Sequence, residues 1–175
     1  MKRILIPAMA ILLACNQSEQ TREQEMKEGK QSLTEALDTV QARKDLNTMA
    51  DDMHSTFKKK DISFIEKYMS RNGIYLGTDP VEILNYNDYV SYMQKLVSDT
   101  ALHISDYTIS RRDITINGTS ALIIDQLYMP EISKKLMLRN ICHANFENGK
   151  WVVDMYAWNF LAKNEEIPRI DKAVN

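Results

Sequence analysis

Two Asn-Gly dipeptides, Asn117-Gly118 and Asn148-Gly149, each sit between long runs rich in Ile, Leu, Val and aromatic residues. A tight hairpin turn of type I′ needs φ > 0 at both central residues, a conformation that Asn and Gly tolerate best. Two such turns dictate antiparallel pairing. The runs around them predict four long strands, about Ile104–Ile116, Ser120–Met129, Leu136–Phe146 and Trp151–Leu161. Upstream the spacing changes to threes and fours. Leu46, Met49, Ala50, Met53 and Phe57 mark one face of an amphipathic helix, and Lys58-Lys59-Lys60 suits its C-terminus. Asp61 is placed to cap a second short helix carrying Ile62, Ile65, Tyr68 and Met69. Gly73–Gly77 is a short strand. In the run that follows, Asp79 takes the N-cap, Pro80 the first helical position and Glu82 the third, opening a helix to about Val97. That capping role accounts for both carboxylates without chemistry. His54, among polar neighbours, reads as a surface residue. Helices first and a long-stranded meander after make an α+β chain.

Two-residue turns also set the register. In the first hairpin Ile116 faces Thr119, so Arg112 faces Ile123 and Ser110 faces Asp125. In the last, Glu147 faces Lys150, so Ala144 faces Val153, Cys142 faces Met155 and Asn140 faces Ala157. If Met129 faces Leu136 across the middle connection, Asp125 lies opposite Asn140. The face holding Phe146, Trp151, Ala144, Val153, Cys142, Met155 and Leu138 is the more apolar and belongs under the helices. On it, Ser110, Arg112, Asp125, Asn140, Cys142, Met155 and Asn159 form a candidate small-molecule site, polar groups on an apolar concave floor. A satisfied structural hydrogen-bond cluster would explain the same residues. A single bulge would reverse the parity. The other face pairs His143 with Asp154, Ile141 with Tyr156 and Arg139 with Trp158. With Ile124 and Tyr128 it forms an apolar patch large enough to predict a homodimer through the outer sheet face.

The N-terminus points elsewhere. Met1-Lys2-Arg3 precedes an apolar stretch, Ile4–Ala14, that is too short to span ~30 Å of hydrocarbon at about 1.5 Å per residue. A cationic start and a short apolar core read as a secretory signal. It ends in Leu12-Leu13-Ala14-Cys15, which resembles a bacterial lipobox. That resemblance implies that residues 1–14 are removed and that Cys15 is lipidated and holds the chain at a membrane. Asn16 in place of an acidic residue favours the outer membrane of the cell envelope. Residues 15–44 read as a polar tether with a possible helical extension, 45–162 as the folded domain and 163–175 as a C-terminal tail.

Composition removes several function classes. Lys and Arg number 22 against 24 Asp and Glu, so no basic excess marks a nucleic-acid partner. Three scattered His and two Cys supply no zinc ligand set. No cofactor is expected. With Cys15 lipidated, Cys142 has no partner for an intrachain disulfide.

The order of elements, the run Leu76-Gly77-Thr78-Asp79-Pro80-Val81-Glu82 and the ending Glu147-Asn148-Gly149-Lys150-Trp151-Val152-Val153 resemble the nuclear transport factor 2-like superfamily, within it the SnoaL-like branch. The resemblance covers about Leu46 to Leu161. It implies a cone of about three N-terminal helices packed on a curved antiparallel sheet, with a pocket inside. Related members often carry His-x-His-x-Ser along the last strand, where this chain has Met155, Ala157 and Asn159. Where kinase-association relatives place arginines for anionic ligands, this chain has Asp125 and Cys142. An acidic floor would repel anions. The tyrosine and acids of the isomerase relatives have no residue-by-residue match.

Three functions remain open. The first is non-catalytic binding of a small apolar or cationic molecule in the cone. The second is an enzyme of the isomerase, dehydratase or cyclase kind with Asp125 as general base. The third is a structural dimerisation module with a filled core. For the N-terminus the expectation is direct. Metabolic labelling with a fatty-acid analogue should tag the wild type and leave Cys15→Ser untagged, and equal labelling of both would refute lipidation.

Overall fold

The computed structural model describes residues 39–101 and 106–174. The signal segment, Cys15 and the chain up to residue 38 lie outside the described residues. Helix α1, Thr39–Lys59, carries the expected ladder: Leu46, Met49, Ala50 and Met53 are buried. It begins inside the segment read as a tether with a helical extension. Ala42 is already buried there, and Arg43 Nη1 donates to the Ile114 carbonyl at 3.0 Å. Lys60, at φ 52°, turns the chain out of the helix. Asp61 then accepts from the Ser63 amide at 2.9 Å and opens α2, Ser63–Tyr68, which buries Phe64 and Ile65. Strand β1 follows without a break as Met69–Leu76, longer than the Gly73–Gly77 core expected.

The Asp79–Glu82 stretch departs from expectation. The capping-type exchange forms, with Asp79 N donating to Glu82 Oε2 at 3.1 Å and Val81 N donating to Asp79 Oδ1 at 3.0 Å. It closes a turn, not a helix. The reason lies one step on: Ile83–Leu84 pairs back on β1 as the short strand β2 (Tyr75 opposite Leu84), which holds this backbone extended. Glycine at 77 leaves room there, since a Cβ would come within 2.7 Å of the Glu82 Cβ, an atom that a side-chain rotation cannot move aside. The third helix, α3, is Tyr86–Ser98, and its N-cap is Asn85, which accepts from the amides of Asn87 and Asp88.

Four long strands complete the sheet: β3 Thr108–Asn117, β4 Ser120–Tyr128, β5 Met137–Glu147 and β6 Lys150–Leu161. The spatial order is β2-β1-β6-β5-β4-β3. The α+β class and the helix-covered sheet are as expected. The sheet is mixed, because β1 runs parallel to β6. The last hairpin turns at Asn148 and Gly149, both at positive φ, with Glu147 opposite Lys150 as expected. The first hairpin turns one residue later than expected. Asn117 pairs with Ser120, and Gly118 at φ 58° is the first turn residue, the glycine position of a type II′ turn. Arg112 therefore faces Asp125, not Ile123. The inward set is unchanged, since both strands slid by one.

Two bulges change faces. The first leaves Ser110 without a partner between the Ile109–Leu127 and Arg111–Gln126 pairs. Ser110 is exposed and donates to the Gln126 carbonyl at 3.0 Å. The second lies in β6, where Ala144 pairs with Val153 but His143 pairs with Met155, so Asp154 is extra. Beyond it the parity is reversed. Tyr156 and Trp158 turn inward, whereas Asn159 is exposed and Met155 half-buried opposite His143. Residues 164–166 form a 3-10 turn and Ile167–Val174 a short helix, α4, with no buried residue.

Candidate functional site

The expected site resolves into two places. The first is a buried ion cluster. Asp125 and His54 have no exposed surface. Asp125 Oδ2 meets His54 Nε2 at 2.6 Å. Arg112 donates from Nε to Oδ1 at 2.8 Å and from Nη2 to Oδ2 at 2.9 Å, a two-pronged pairing. The remaining arm, Nη1, donates to Asp51 Oδ1 at 2.8 Å on the rim of α1. Burial by itself would raise the Asp125 pKa. The hydrogen bonds from His54 and Arg112 outweigh it and hold the carboxyl below its ordinary 3.8. An ionised carboxylate only accepts, so His54 presents Nε2–H to it.

Of the seven residues expected on the floor, Arg112, Asp125, Asn140 and Cys142 come together. Asn140 lies opposite Asp125, is buried, and donates to the Ala157 carbonyl at 3.1 Å. Cys142 is free and buried, and burial pushes its thiol well above the ordinary range, so it is inert filling. Ser110, Met155 and Asn159 are moved away by the two bulges. With both oxygens held by cationic or N–H donors and no accessible surface, Asp125 is not poised as a general base. The reading of His54 as a surface residue is overturned. It lies on the ladder of α1, four residues after Ala50, and that spacing was the available signal.

The second place is a cavity of about 360 Å³, within the ~300–1,000 Å³ usual for small-molecule sites. None of those seven residues lines it, although Leu138, expected on the same face, does. One wall is α3, with Tyr89, Tyr92 and Met93; the floor is Leu138 and Trp158; Glu131 closes one side from the β4–β5 loop. Aromatic rings run through it. Tyr89 stacks on Tyr75 at 4.6 Å, and Trp158 meets Tyr156 and Phe57 edge to face at 5.8 and 5.9 Å. Burial pushes the Tyr89 and Tyr92 hydroxyls up, so both stay neutral donors. Among the described lining residues Glu131 is the one carboxylate, and none is Lys, Arg or His. Asp125, whose carboxylate was expected to make the pocket floor acidic, lies outside this lining. Trp158 divides the two places: it lines the cavity and packs edge-on against His54 at 5.6 Å. Nothing in hairpin register could reveal its inward position without the bulge.

No family model matches the sequence, and no curated protein matches it. Solved structures do. The chain is similar to a nuclear transport factor 2-like protein of unknown function from Pseudomonas putida KT2440, with 11% identity, 73% of this chain and 92% of that one covered, and a TM-score of 0.60. A protein of the same description from Shewanella baltica OS155 gives 15% identity, 73% and 99% coverage and 0.55. A putative ketosteroid isomerase from Parabacteroides distasonis ATCC 8503 gives 10%, 66% and 85%, and 0.53. The fold is therefore the nuclear transport factor 2-like cone expected from the sequence, and at these identities the likeness carries the fold alone.

The buried cluster makes a stability prediction. Removing one partner of a buried ion pair strands the other charge, at a cost of about 3–5 kcal/mol. Asp125→Asn should lose stability of that size in urea unfolding at neutral pH. Because the folded carboxyl titrates below 3.8, its contribution is fully present above that value and is lost as pH falls through the lower folded value. The gap between wild type and Asp125→Asn should close in that window. The apolar triple variant His54→Phe, Arg112→Met, Asp125→Leu should recover much of the loss, having no charge left to strand.

Proposed function

We propose that this cone domain binds a small apolar or cationic molecule in its cavity without transforming it. The observation that carries the reading is the lining itself: aromatic and aliphatic walls, neutral phenols and, among the described residues, one carboxylate and no basic side chain. Such walls favour apolar bodies and, through the negative ring faces, cations. Glu131 and the missing basic residues oppose anions. An open cavity of this size speaks against a filled structural core, and the occupied oxygens of Asp125 speak against the carboxylate-base enzyme.

The remaining parts of the reading rest on sequence and surface. We place the domain at the bacterial outer membrane through a lipidated Cys15. No described helix is long and apolar enough to cross a membrane. A second copy covers the Tyr128 end of the outer sheet face, now defined by Ile124, Ile141 and Tyr128, since Tyr156 and Trp158 face inward, and leaves the Ser120 end of that face open. Ile124 and Ile141 are register partners on adjacent strands, both half-buried.

Calorimetry with matched alkyl-trimethylammonium and alkyl-sulfonate probes tests the pocket. The cation should bind at least about tenfold more tightly, a difference of ~1.4 kcal/mol, and Glu131→Gln should shrink that preference. Binding should quench Trp158 fluorescence and leave Trp158→Phe silent. Failure of both probes and of their neutral alcohol to bind would refute the reading. In a non-lipidated Cys15→Ser background, light scattering should report a dimer that Ile124→Glu converts to monomer. A wild-type monomer at high concentration would rule out the second copy.

A further inference from the structure

The outer face holds a side-chain relay that neither the cavity nor the buried cluster uses. Ser120 Oγ lies 2.8 Å from His143 Nε2. His143 Nδ1 lies 2.5 Å from Asp154 Oδ1. Asn145 Nδ2 donates to the other oxygen, Asp154 Oδ2, at 2.7 Å. The three relay residues come from β4, β5 and β6, adjacent strands of one rigid sheet. The β6 bulge makes Asp154 the extra residue and turns its carboxylate toward His143, the kind of re-aiming for which bulges are used. His143 and Asp154 are 34% and 39% exposed, so solvent and solutes reach them.

The order of contacts fixes the chemistry. A carboxylate accepts and cannot donate, so the proton of the neutral imidazole sits on Nδ1. Nε2 then carries a lone pair, and the contact to Ser120 is the hydroxyl donating into it. That is the tautomer in which a histidine can take a proton from a serine. We propose that Ser120 is a nucleophile that accepts acyl groups from activated esters, with His143 as its general base and Asp154 as the positioning residue. The Ser120 oxygen bonds to the acyl carbon while its proton passes to His143 Nε2. The carbon–oxygen bond to the leaving group breaks, and the departing aryl oxide takes that proton. Water then attacks the acyl-serine, passes a proton through His143 back to the serine oxygen, and frees the carboxylic acid. The relay supplies a nucleophile and a base, so the substrate class is one whose leaving group is already good. Leu122 and Met155, the register partners of His143 on either side, are half-buried apolar residues on the same face. They would support a short aliphatic acyl chain.

Incubating the full-length protein with an alkyl fluorophosphonate and mapping the adduct by peptide mass spectrometry tests this directly, because serine attack at phosphorus expels fluoride. One adduct on Ser120 is expected. Hydrolysis of p-nitrophenyl butyrate should fall about 100-fold or more in Ser120→Ala and in His143→Gln. Asp154→Asn should lose a comparable factor and Asp154→Glu should restore part of it, at unchanged melting temperatures. A merely structural hydrogen-bond chain would not give that split. An unlabelled wild type, an adduct on another residue, or hydrolysis indifferent to His143→Gln would overturn the proposal.

Discussion

One carboxylate binds the two layers of this fold together. Asp125 stands in the middle of β4 and takes hydrogen bonds from His54 of α1 and from Arg112 of β3, while Arg112 reaches on to Asp51 of α1. An unpaired ion in that position would be driven out or neutralised. Paired on both oxygens, it pins the orientation of α1 over the sheet, because only one rotation of the helix presents His54 to it and Asp51 to Arg112. The apolar ladder of α1 would tolerate a sliding contact. The ion pairs do not, since their geometry is directional.

That arrangement also decides where a ligand can go. The polar floor anticipated for a pocket is spent on joining helix to sheet. Space is left on the other side of Trp158, between α3 and the far ends of β5 and β6. Trp158 belongs to both regions: one edge packs against His54, and the ring lines the cavity. A ligand pressing on that ring would therefore press on the buried cluster as well. The cavity and the buried cluster are mechanically adjacent here, although no polar group is shared between them.

Much of the fold was legible because hairpins carry local signals. Asn148-Gly149 set its register correctly as far as Ala144 opposite Val153, beyond which Cys142 meets Tyr156 and Asn140 meets Trp158 in place of Met155 and Ala157, and the Asp125–Asn140 pairing followed from strand lengths alone. The fold likeness, too, could be read from element order. What escaped had a common cause: one residue more or fewer than regular pairing assumes. Gly118 served as the first residue of a type II′ turn, which moved Arg112 opposite Asp125. The extra residues Ser110 and Asp154 carried Ser110, Met155 and Asn159 off the site and brought Tyr156 and Trp158 in. His54 was missed for a different reason. Asp51, Asp52, Ser55 and Thr56 around it are polar, and that polarity outweighed helical position in reading it. The Asp79–Glu82 pair showed that a correct local motif can close a turn when the next two residues are claimed by a strand.

The bulge at Asp154 has a consequence for how this chain is compared with others of its shape. A strand that carries one surplus residue keeps its alternation on each side of it but exchanges the two faces between them. An ungapped alignment of β6 against an unbulged strand would match every residue after 154 to one from the opposite surface. Inner and outer functions would be transposed without any loss of apparent similarity. Inheritance of functional positions along this strand is therefore a matter of counting residues from the correct end: from Gly149 up to Val153, and from Leu161 back to Met155.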